Sequence, residues 1–308
     1  VADAPQHPAT RLEAEDLKAF QADVNALWKG DTGKGQVLSG MSIEEDLRKL
    51  MIEPDVKPTQ AQWLHRKADG ADWYMVCAPQ EGRFEGQMEF HTTGRAELWN
   101  PMNGAIEPMN STEKDGYTSI SMKLEQGECK YVVFHHDGRK QKVPTRSSST
   151  IPLDHLRWTL TFPKGWGADQ PLTISRLQPW CELPLSDEGK AFSGTVTYET
   201  SFQMDKLHRK AQYLIRLGQV EEIAVVKVND AVADTLWALP YETDITPYLR
   251  KGENKLTIEV VSTWHNRLAY DASLPEKERK TWVLAGPRAG SELKRYGMMG
   301  PVEMEERR

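Results

Sequence analysis

The feature that most constrains this chain is a long series of short segments in which apolar and polar residues alternate. Such segments occupy most of residues 62–135, as in Trp73-x-Met75-x-Cys77, and return between residues 156 and 262. Turn pairs such as Asp69-Gly70 and Asp115-Gly116 separate them. Alternation with a period of two is typical of strands that bury one face, and Gly turns join antiparallel neighbours. The pattern predicts a mainly β protein with two β-sandwich domains.

Residues 1–57 have a different pattern. Apolar residues recur at three- and four-residue spacing from Leu12 to Trp28, which predicts a helix, and a short strand is expected at Gln36–Leu38. A second helix is expected after Ser42, whose spacing to Glu45 is that of a capping box. A helix, a short strand and a second helix cannot bury all these apolar faces alone, so we interpret the segment as a short, incomplete α/β unit. The residues expected to form the buried face of the second helix are Ile43, Leu47, Leu50 and Met51.

The rest of the chain divides into three parts. Residues 58–136 are predicted to form a small antiparallel β-sandwich, and residues 151–308 a second β-sandwich of a common domain size. Residues 137–150 are polar, basic and Ser-rich without an apolar period, so they are interpreted as a linker. A nucleic-acid-binding arm is the alternative for this segment, but a solvated loop fits an acidic protein better.

Charge and hydropathy patterning argue against several classes of partner. The 308 residues include 39 Lys and Arg against 45 Asp and Glu, a formal net charge of −6. Nucleic-acid-binding proteins concentrate positive charge, so no nucleic-acid partner is predicted. No apolar run approaches about 18 residues, so no membrane association is predicted. The first ten residues lack a basic start followed by an apolar stretch, so no signal peptide is predicted within this chain.

Cysteine and histidine usage gives no clear metal or disulfide signature. Cys77, Cys129 and Cys181 are odd in number, widely spaced and without a C-x-x-C pair, so we predict buried free thiols. His135 and His136 are adjacent on a predicted strand and would point to opposite faces, so no metal site is predicted there. No cofactor is expected. Whether a structural calcium ion is bound stays open, although no compact run of oxygen ligands indicates one.

The densest group of aromatic and polar residues runs from Trp237 to Trp282. Several of these residues follow the predicted strand near residue 262, at the end of a sandwich where loops gather. A stacking ring, an amide and a guanidinium can together bind a sugar. The alternative, which we prefer, is that the arginine fixes the loop and the aromatic residues close the sandwich end. The candidate carbohydrate-binding residues are Trp237, Tyr241, Trp264, Asn266 and Arg267.

Carboxylate pairs also need to be considered, because glycosidases use two acids about 5 to 10 Å apart. Asp69 and Asp72 lie at a turn, and Asp271 and Glu276 lie in a predicted loop. Aspartate is common in turns because its side chain hydrogen-bonds the local backbone. We therefore interpret these pairs as structural and predict no catalytic residue.

The same C-terminal stretch carries a family resemblance. Residues 244–260 read D-I-T-x-x-L-x-x-G-E-N-x-L-x-I-x-V, which is similar to the turn and strand of the galactose-binding-like jelly roll in glycoside hydrolase family 2. Trp264-x-Asn266-Arg267, then Leu274-Pro275-Glu276 and finally Gly300-Pro301-Val302, follow it in an order that resembles the C-terminal region of glycoside hydrolase family 106, the α-L-rhamnosidases.

Motifs in the first half agree with that resemblance. Gly33–Val37 and Ser42–Glu45 resemble the last α/β segment before the family's first C-terminal sandwich. Glu97–Gly104 is similar to the family's E-L-W-D-P-x-x-G turn, although Asn100 stands where Asp is usual. The resemblance implies that residues 151–308 form a galactose-binding-like jelly roll. It also places the family's catalytic carboxylates in an N-terminal barrel, and no such barrel pattern is present in this chain.

Three hypotheses about function follow from these observations. The leading one is a non-catalytic C-terminal accessory region of an α-L-rhamnosidase-like hydrolase, a separate fragment or a processed piece that supports a catalytic domain and contacts carbohydrate. The second is a free-standing carbohydrate-binding module, and the third is a divergent free-standing glycosidase. The expected partners are a rhamnose-containing polysaccharide and an N-terminal catalytic domain. The expected location is periplasmic or secreted, in a bacterium.

Overall fold

The alternating segments form antiparallel strands in the computed structural model. The structure describes residues 4–8, 14–30, 37–38, 42–139, 142–144, 147–153 and 155–308. The mainly β class and the sandwich architecture predicted from the sequence are confirmed. No helix in these described ranges is long and apolar enough to cross a membrane.

Two helices precede the sheets, α1 at Ala14–Lys29 and α2 at Ile43–Lys49. The predicted capping box begins α2, because Glu45 N donates to the Ser42 hydroxyl and Ser42 N donates to the Glu45 carboxylate at 2.8 Å. The predicted short strand is not formed at residues 37–38, and Gln36 lies outside the described residues.

The prediction of a buried face on α2 is wrong. Ile43 is 65 % exposed and Met51 is 87 % exposed, and Leu47 and Leu50 also face solvent. The apolar spacing did predict a helix, but no described part of the chain packs over its apolar side. The amphipathic pattern therefore marks an exposed apolar surface rather than a core face.

The first sandwich packs a five-stranded sheet on a three-stranded sheet. The strands in chain order are β1 Gln62–Ala68, β2 Ala71–Cys77, β3 Phe84–Phe90, β4 Arg95–Trp99, β5 Ile106–Pro108, β6 Thr112–Lys114, β7 Tyr117–Leu124 and β8 Cys129–His135. The spatial orders are β1-β2-β8-β4-β5 and β3-β7-β6. Alternate residues of β2, such as Tyr74 and Val76, are fully buried between the sheets.

A disulfide bond joins Cys77 to Cys129, so the prediction of free thiols is wrong for this pair. The two cysteines lie directly opposite each other on β2 and β8, with their Cα atoms 4.0 Å apart. They are 52 residues apart in sequence, and only the register of the sheet brings them together. Cys181 is a free, partly buried thiol, and burial raises its pKa.

The second sandwich contains the remaining strands and two short helices. Its elements in chain order are β9 Ser148–Pro152, β10 Trp158–Thr161, β11 Leu172–Ile174, α3 Asp187–Lys190, β12 Thr195–Met204, β13 Gln212–Arg216, β14 Gln219–Glu221, β15 Ile223–Val228, β16 Ala231–Leu236, β17 Glu242–Asp244, β18 Gly252–Val261, α4 His265–Ala272, β19 Gly297–Gly300 and β20 Glu303–Arg307. The sheets have the orders β11-β10-β12-β18-β15-β16, β17-β13-β20-β9 and β14-β19.

The register of the six-stranded sheet gathers the loops at one edge. Val261, at the end of β18, pairs with the first residue of β12 on one side and the first residue of β15 on the other. The last residue of β16, Leu236, pairs with Ala224 near the start of β15. The segments that follow β10, β16 and β18 therefore leave the sheet at the same end of its strands. We call this end of the sandwich the loop edge.

The segment predicted as a linker ends inside the second sandwich. Residues 148–150 belong to β9, which pairs with β20. The edge position of β9 explains why its exposed, Ser-rich sequence gave no alternating signal. The helix α4 is also absent from the sequence prediction, which expected a loop after residue 262.

Candidate functional site

The five candidate residues all lie at or near the loop edge, but in two different environments. Trp237 follows β16 and is 64 % exposed, and Trp264 precedes α4 and is 50 % exposed. Tyr241, Asn266 and Arg267 are buried. The structure therefore presents two indole rings to solvent and turns the three other candidates into the protein.

Tyr241 connects two turns at this edge. Its hydroxyl donates to the Glu222 carbonyl oxygen at 2.5 Å, and Leu217 N donates to the Tyr241 carbonyl oxygen at 2.9 Å. Burial raises the pKa of Tyr241. The phenol is therefore a neutral donor that fixes the backbone, and its hydroxyl hydrogen is already used in the bond to Glu222.

Asn266 binds the backbone of a distant loop residue with its whole amide group. Its Nδ2 donates to the Lys294 carbonyl oxygen at 2.8 Å, and Lys294 N donates to Asn266 Oδ1 at 2.7 Å. The neighbouring His265 ring nitrogen Nε2 lies 3.2 Å from the Glu292 carbonyl oxygen. The start of α4 thus anchors residues 292–294.

Arg267 is almost completely buried, with 1 % exposure. Its Nη1 donates to Glu188 at 2.7 Å and its Nη2 donates to Asp271. Burial alone would lower the pKa of Arg267, but these two hydrogen bonds outweigh it and raise the pKa. The guanidinium also lies 5.2 Å from the ring centroid of Trp166 and 5.3 Å from that of Tyr270, within cation–π range.

Asp271 extends this network to a second part of the loop. Its Oδ2 accepts hydrogen bonds from Thr281 N at 2.7 Å, from Thr281 Oγ1 at 2.6 Å and from Lys280 N at 3.1 Å. Burial opposes ionisation, but Arg267 and Thr281 outweigh it and lower the pKa of Asp271. Helix α4 therefore holds residues 280–281 with Asp271 and residues 292–294 with its first turn.

Between these two anchors the loop exposes apolar side chains and borders a cleft. Trp282 is 78 % exposed and Leu284 is 88 % exposed. A cleft of about 460 Å³ separates this part of the loop from α4. The sequence analysis included Trp282 in its dense segment but not among the candidates, because nothing in the sequence indicates which aromatic residue lies on the surface.

A second buried charge lies in the first sandwich and was not predicted as a site. Asp72 is 2 % exposed; its Oδ1 lies 2.7 Å from His65 Nε2, and its Oδ2 lies 2.8 Å from His136 Nε2 and accepts from Thr92 Oγ1 at 2.7 Å. Burial raises the pKa of Asp72, but these hydrogen bonds outweigh it and lower the pKa to about 2. The sequence analysis considered only the proximity of Asp69 and Asp72. Of the observed partners, His65 lies seven residues away on β1, whereas Thr92 and His136 follow the more distant strands β3 and β8.

His136 also borders a polar cleft of about 600 Å³ at the end of the first sandwich. Arg95 lines it but is bound to Glu97 and Asp137. In the ranges that the structure describes, no group of three or more His, Cys, Asp or Glu side chains is arranged to share a metal ion.

Two family models match the chain at separate places. The model described as alpha-L-rhamnosidase matches residues 2–113, and the model described as a glycosyl hydrolase 2 galactose-binding domain-like domain matches residues 190–294. The second match contains β12 to β18, α4 and the loop that α4 anchors. The resemblance to α-L-rhamnosidases is confirmed.

The fold comparison agrees with both matches. A rhamnosidase from Novosphingobium sp. PP1Y superposes with a TM-score of 0.80 at 30 % sequence identity, over 95 % of this chain and 29 % of that chain. The chain therefore corresponds to less than a third of that structure.

The two curated relatives are much longer proteins, and only a short part of each matches this chain. A Formosa agariphila protein named "Putative beta-glucuronidase" is 31 % identical over 216 residues, which are 59 % of this chain and 18 % of that protein. A beta-galactosidase of Clostridium acetobutylicum is 35 % identical over 101 residues, which are 30 % of this chain and 11 % of that protein. The chain spans less than a fifth of the length of either relative.

Proposed function

We propose that this chain is a non-catalytic accessory region of an α-L-rhamnosidase-like glycoside hydrolase, where it supports a catalytic domain. The observation that carries the proposal is the superposition of nearly the whole chain on less than a third of the Novosphingobium rhamnosidase. The order of the two family matches along the chain supports the same assignment.

The exposed apolar side of α2 supports the existence of a supported domain. Apolar side chains that face solvent as a continuous group are typical of interaction surfaces. We call this group the α2 surface; it consists of Ile43, Leu47, Leu50, Met51 and Ile52. Its occupant in the proposal is the catalytic domain of the same hydrolase.

The state of the two carboxylates bound to Arg267 also supports an accessory role. A glycosidase needs one carboxyl group with a raised pKa as the general acid, close to an ionised partner. Asp271 and Glu188 instead have lowered pKa values, because each is paired with Arg267 and Glu188 is also bound to Lys280. Both stay ionised at neutral pH and cannot donate a proton to a leaving group.

A free-standing glycosidase remains the alternative, and one observation favours it. Burial and the adjacent charge of Glu222 raise the pKa of Glu221 near the loop edge. The decisive measurement is hydrolysis of an aryl α-L-rhamnoside by the purified chain. We expect no turnover above that of the Glu221→Gln variant. Turnover that this variant abolishes would overturn the accessory proposal.

The supporting role is tested with the catalytic polypeptide encoded with this chain, purified with and without it. We expect aryl rhamnosidase activity to need both parts. Leu47→Glu together with Met51→Glu should weaken their association at least tenfold, because each places a charge on the α2 surface. Val232→Glu is the matched control, since Val232 is a 56 % exposed residue on β16 in the second sandwich. Unchanged association of the α2 variant would contradict this docking surface.

The exposed rings of Trp237 and Trp264 support the second role, contact with carbohydrate. A ring that faces solvent can stack on a sugar, although burying only one face of it contributes little affinity. Glycan-array binding that is reduced by Trp264→Ala would support this role. Absence of binding to any neutral sugar at millimolar concentration would contradict it.

We also propose that the chain functions in an oxidising compartment such as the periplasm or the exterior of a bacterial cell. The Cys77–Cys129 disulfide supports this location, because disulfides rarely persist in a reducing cytosol. Thiol labelling of the protein isolated from its native cells should modify Cys181 alone. Labelling of all three cysteines under the same conditions would contradict the proposed location.

A further inference from the structure

The cleft beside α4 has the size and the chemistry of a ligand site. Its volume of about 460 Å³ lies within the usual range for small-molecule pockets, about 300 to 1,000 Å³. Helix α4 forms one wall and the anchored loop forms the other. The side chains that the argument uses are Asp271, Arg279, Trp282 and Arg288.

The two arginines give the cleft an excess of positive charge. Arg279 donates through Nε to the Leu274 carbonyl oxygen at 2.9 Å, which orients its guanidinium. The ion pairs around the loop involve Arg267, Lys280 and Arg295, and none involves Arg279 or Arg288 within the described part of the chain. Both cationic groups are thus available to a ligand.

The acid in the cleft wall does not cancel that charge. Both carboxylate oxygens of Asp271 are occupied, Oδ1 by Arg267 and Oδ2 by Thr281 and the backbone of Lys280. Its charge is neutralised by the buried Arg267. Because guanidinium groups bind carboxylate and sulfate oxygens with two parallel hydrogen bonds, an anionic group is the ligand chemistry that fits.

Trp282 adds an apolar platform next to the arginines. With 78 % of its surface exposed, the indole has an accessible face on which a sugar ring can stack. The loop is held at residues 280–281 and at residues 292–294 by hydrogen bonds from α4. A loop that is held at both ends loses less conformational entropy on binding than an unanchored one.

We propose that this cleft binds a carbohydrate that carries a carboxylate or a sulfate group, with Arg279 and Arg288 contacting the anionic group and Trp282 the sugar ring. The proposal rests on the assignment of the chain to a carbohydrate-active protein. It also gives Asn266 and Asp271 a role, because these side chains hold the loop in position.

The test is isothermal titration of the full chain with four probes. These are a glucuronic-acid-terminated disaccharide, its neutral methyl ester, a sulfated galactose-containing disaccharide and inorganic sulfate. We expect at least one of the two acidic disaccharides to bind at least tenfold more tightly than the methyl ester and than inorganic sulfate. A preference between the carboxylate and the sulfate disaccharide identifies which anionic group is used.

Variants assign the binding to the cleft. Arg279→Gln with Arg288→Gln should weaken binding of the preferred acidic probe at least tenfold, and Trp282→Ala should weaken it severalfold. Arg139→Gln is the control, because Arg139 is an exposed cation on the first sandwich with 81 % side-chain exposure. Equal binding of the neutral ester, binding of inorganic sulfate as tight as that of the disaccharides, or an unaffected double variant would each overturn the proposal. These outcomes leave the docking and turnover measurements untouched, so the two proposals fail separately.

Discussion

Each sandwich buries a charged side chain in a network of partners, Asp72 in the first and Arg267 in the second, and the two charges are compensated in opposite ways. In the first, the carboxylate of Asp72 is bound by two imidazoles and a hydroxyl. In the second, the guanidinium of Arg267 is bound by two carboxylates and lies beside aromatic rings. The difference teaches that a buried charge is tolerated when its partners are fixed by the fold, whichever sign it has.

The sandwiches also differ in what holds them together. In the part of the chain that the structure describes, the buried apolar cluster of the second sandwich is about twice as large as that of the first. The first sandwich instead has the covalent link between β2 and β8. A small core supplies little stability by itself, so a disulfide matters more to a small domain than to a large one.

The largest effect is expected from removing the buried cation of the second sandwich. Arg267→Met should lower the free energy of unfolding by about 3–5 kcal/mol, because it leaves Asp271 buried without a compensating charge. Urea unfolding followed by tryptophan fluorescence measures this loss. Combining it with Asp271→Asn should recover part of the loss, and a single-variant effect below about 1 kcal/mol would contradict the comparison.

The next largest effect is expected in the first sandwich. Cys77→Ala with Cys129→Ala should lower its stability by about 2–4 kcal/mol, because a closed loop of this length restricts the unfolded chain. Differential scanning calorimetry should show a transition moved to lower temperature for the first sandwich alone. Cys181→Ala is the control and should move neither transition by a comparable amount. An equal shift of both transitions would show that the sandwiches do not unfold separately.

The charge of Asp72 should add a pH-dependent contribution. Its folded pKa of about 2 lies below the ordinary 3.8, so the stabilisation is fully present above about pH 4 and is lost as the pH falls through 2. At pH 6, Asp72→Asn should cost about 1.5–3 kcal/mol, since the hydrogen bonds reach a charged group. The gap between wild type and variant should narrow in urea unfolding at pH 3. A gap that widens on acidification would contradict this assignment.

The smallest effect is expected at the exposed ring of the second sandwich. Trp237→Ala should change the free energy of unfolding by less than about 0.5 kcal/mol, because the side chain is mostly in solvent. Urea unfolding of this variant is compared with urea unfolding of Trp158→Ala, which removes a fully buried ring. A large loss at Trp237 would mean that this ring packs in the folded state.

The strands that the sequence predicted well are those with one buried face. Alternation predicted strands over most of residues 62–135, where β1 to β8 are observed, β2 with its alternately buried residues among them. The strands it missed, β9 and β20 among them, have exposed or charged residues, and their pairing is held by backbone hydrogen bonds. Alternation of apolar and polar residues arises when one face of a strand is buried and the other faces solvent. A strand whose two faces do not differ in this way therefore has no periodic signal in its sequence.

The five candidate residues lie at or near the loop edge, but the sequence did not indicate which segments the buried ones would bind. Asn266 and Arg267 have the chemistry of sugar-binding residues, yet α4 turns both toward protein partners at residues 294 and 188. The partners lie 28 and 79 residues away in sequence. No local pattern encodes which of two distant segments will satisfy an amide or a guanidinium.

The sequence by itself determined the mainly β class, the capping box at Ser42 and the resemblance to α-L-rhamnosidases, because alternation, local hydrogen bonding and motif order are properties of neighbouring residues. Only the tertiary structure decided that Cys77 meets Cys129, that Asp72 lies between two imidazoles, and that Trp282 faces a cationic cleft. These outcomes depend on sheet register and on loop closure, which bring together side chains that are far apart along the chain.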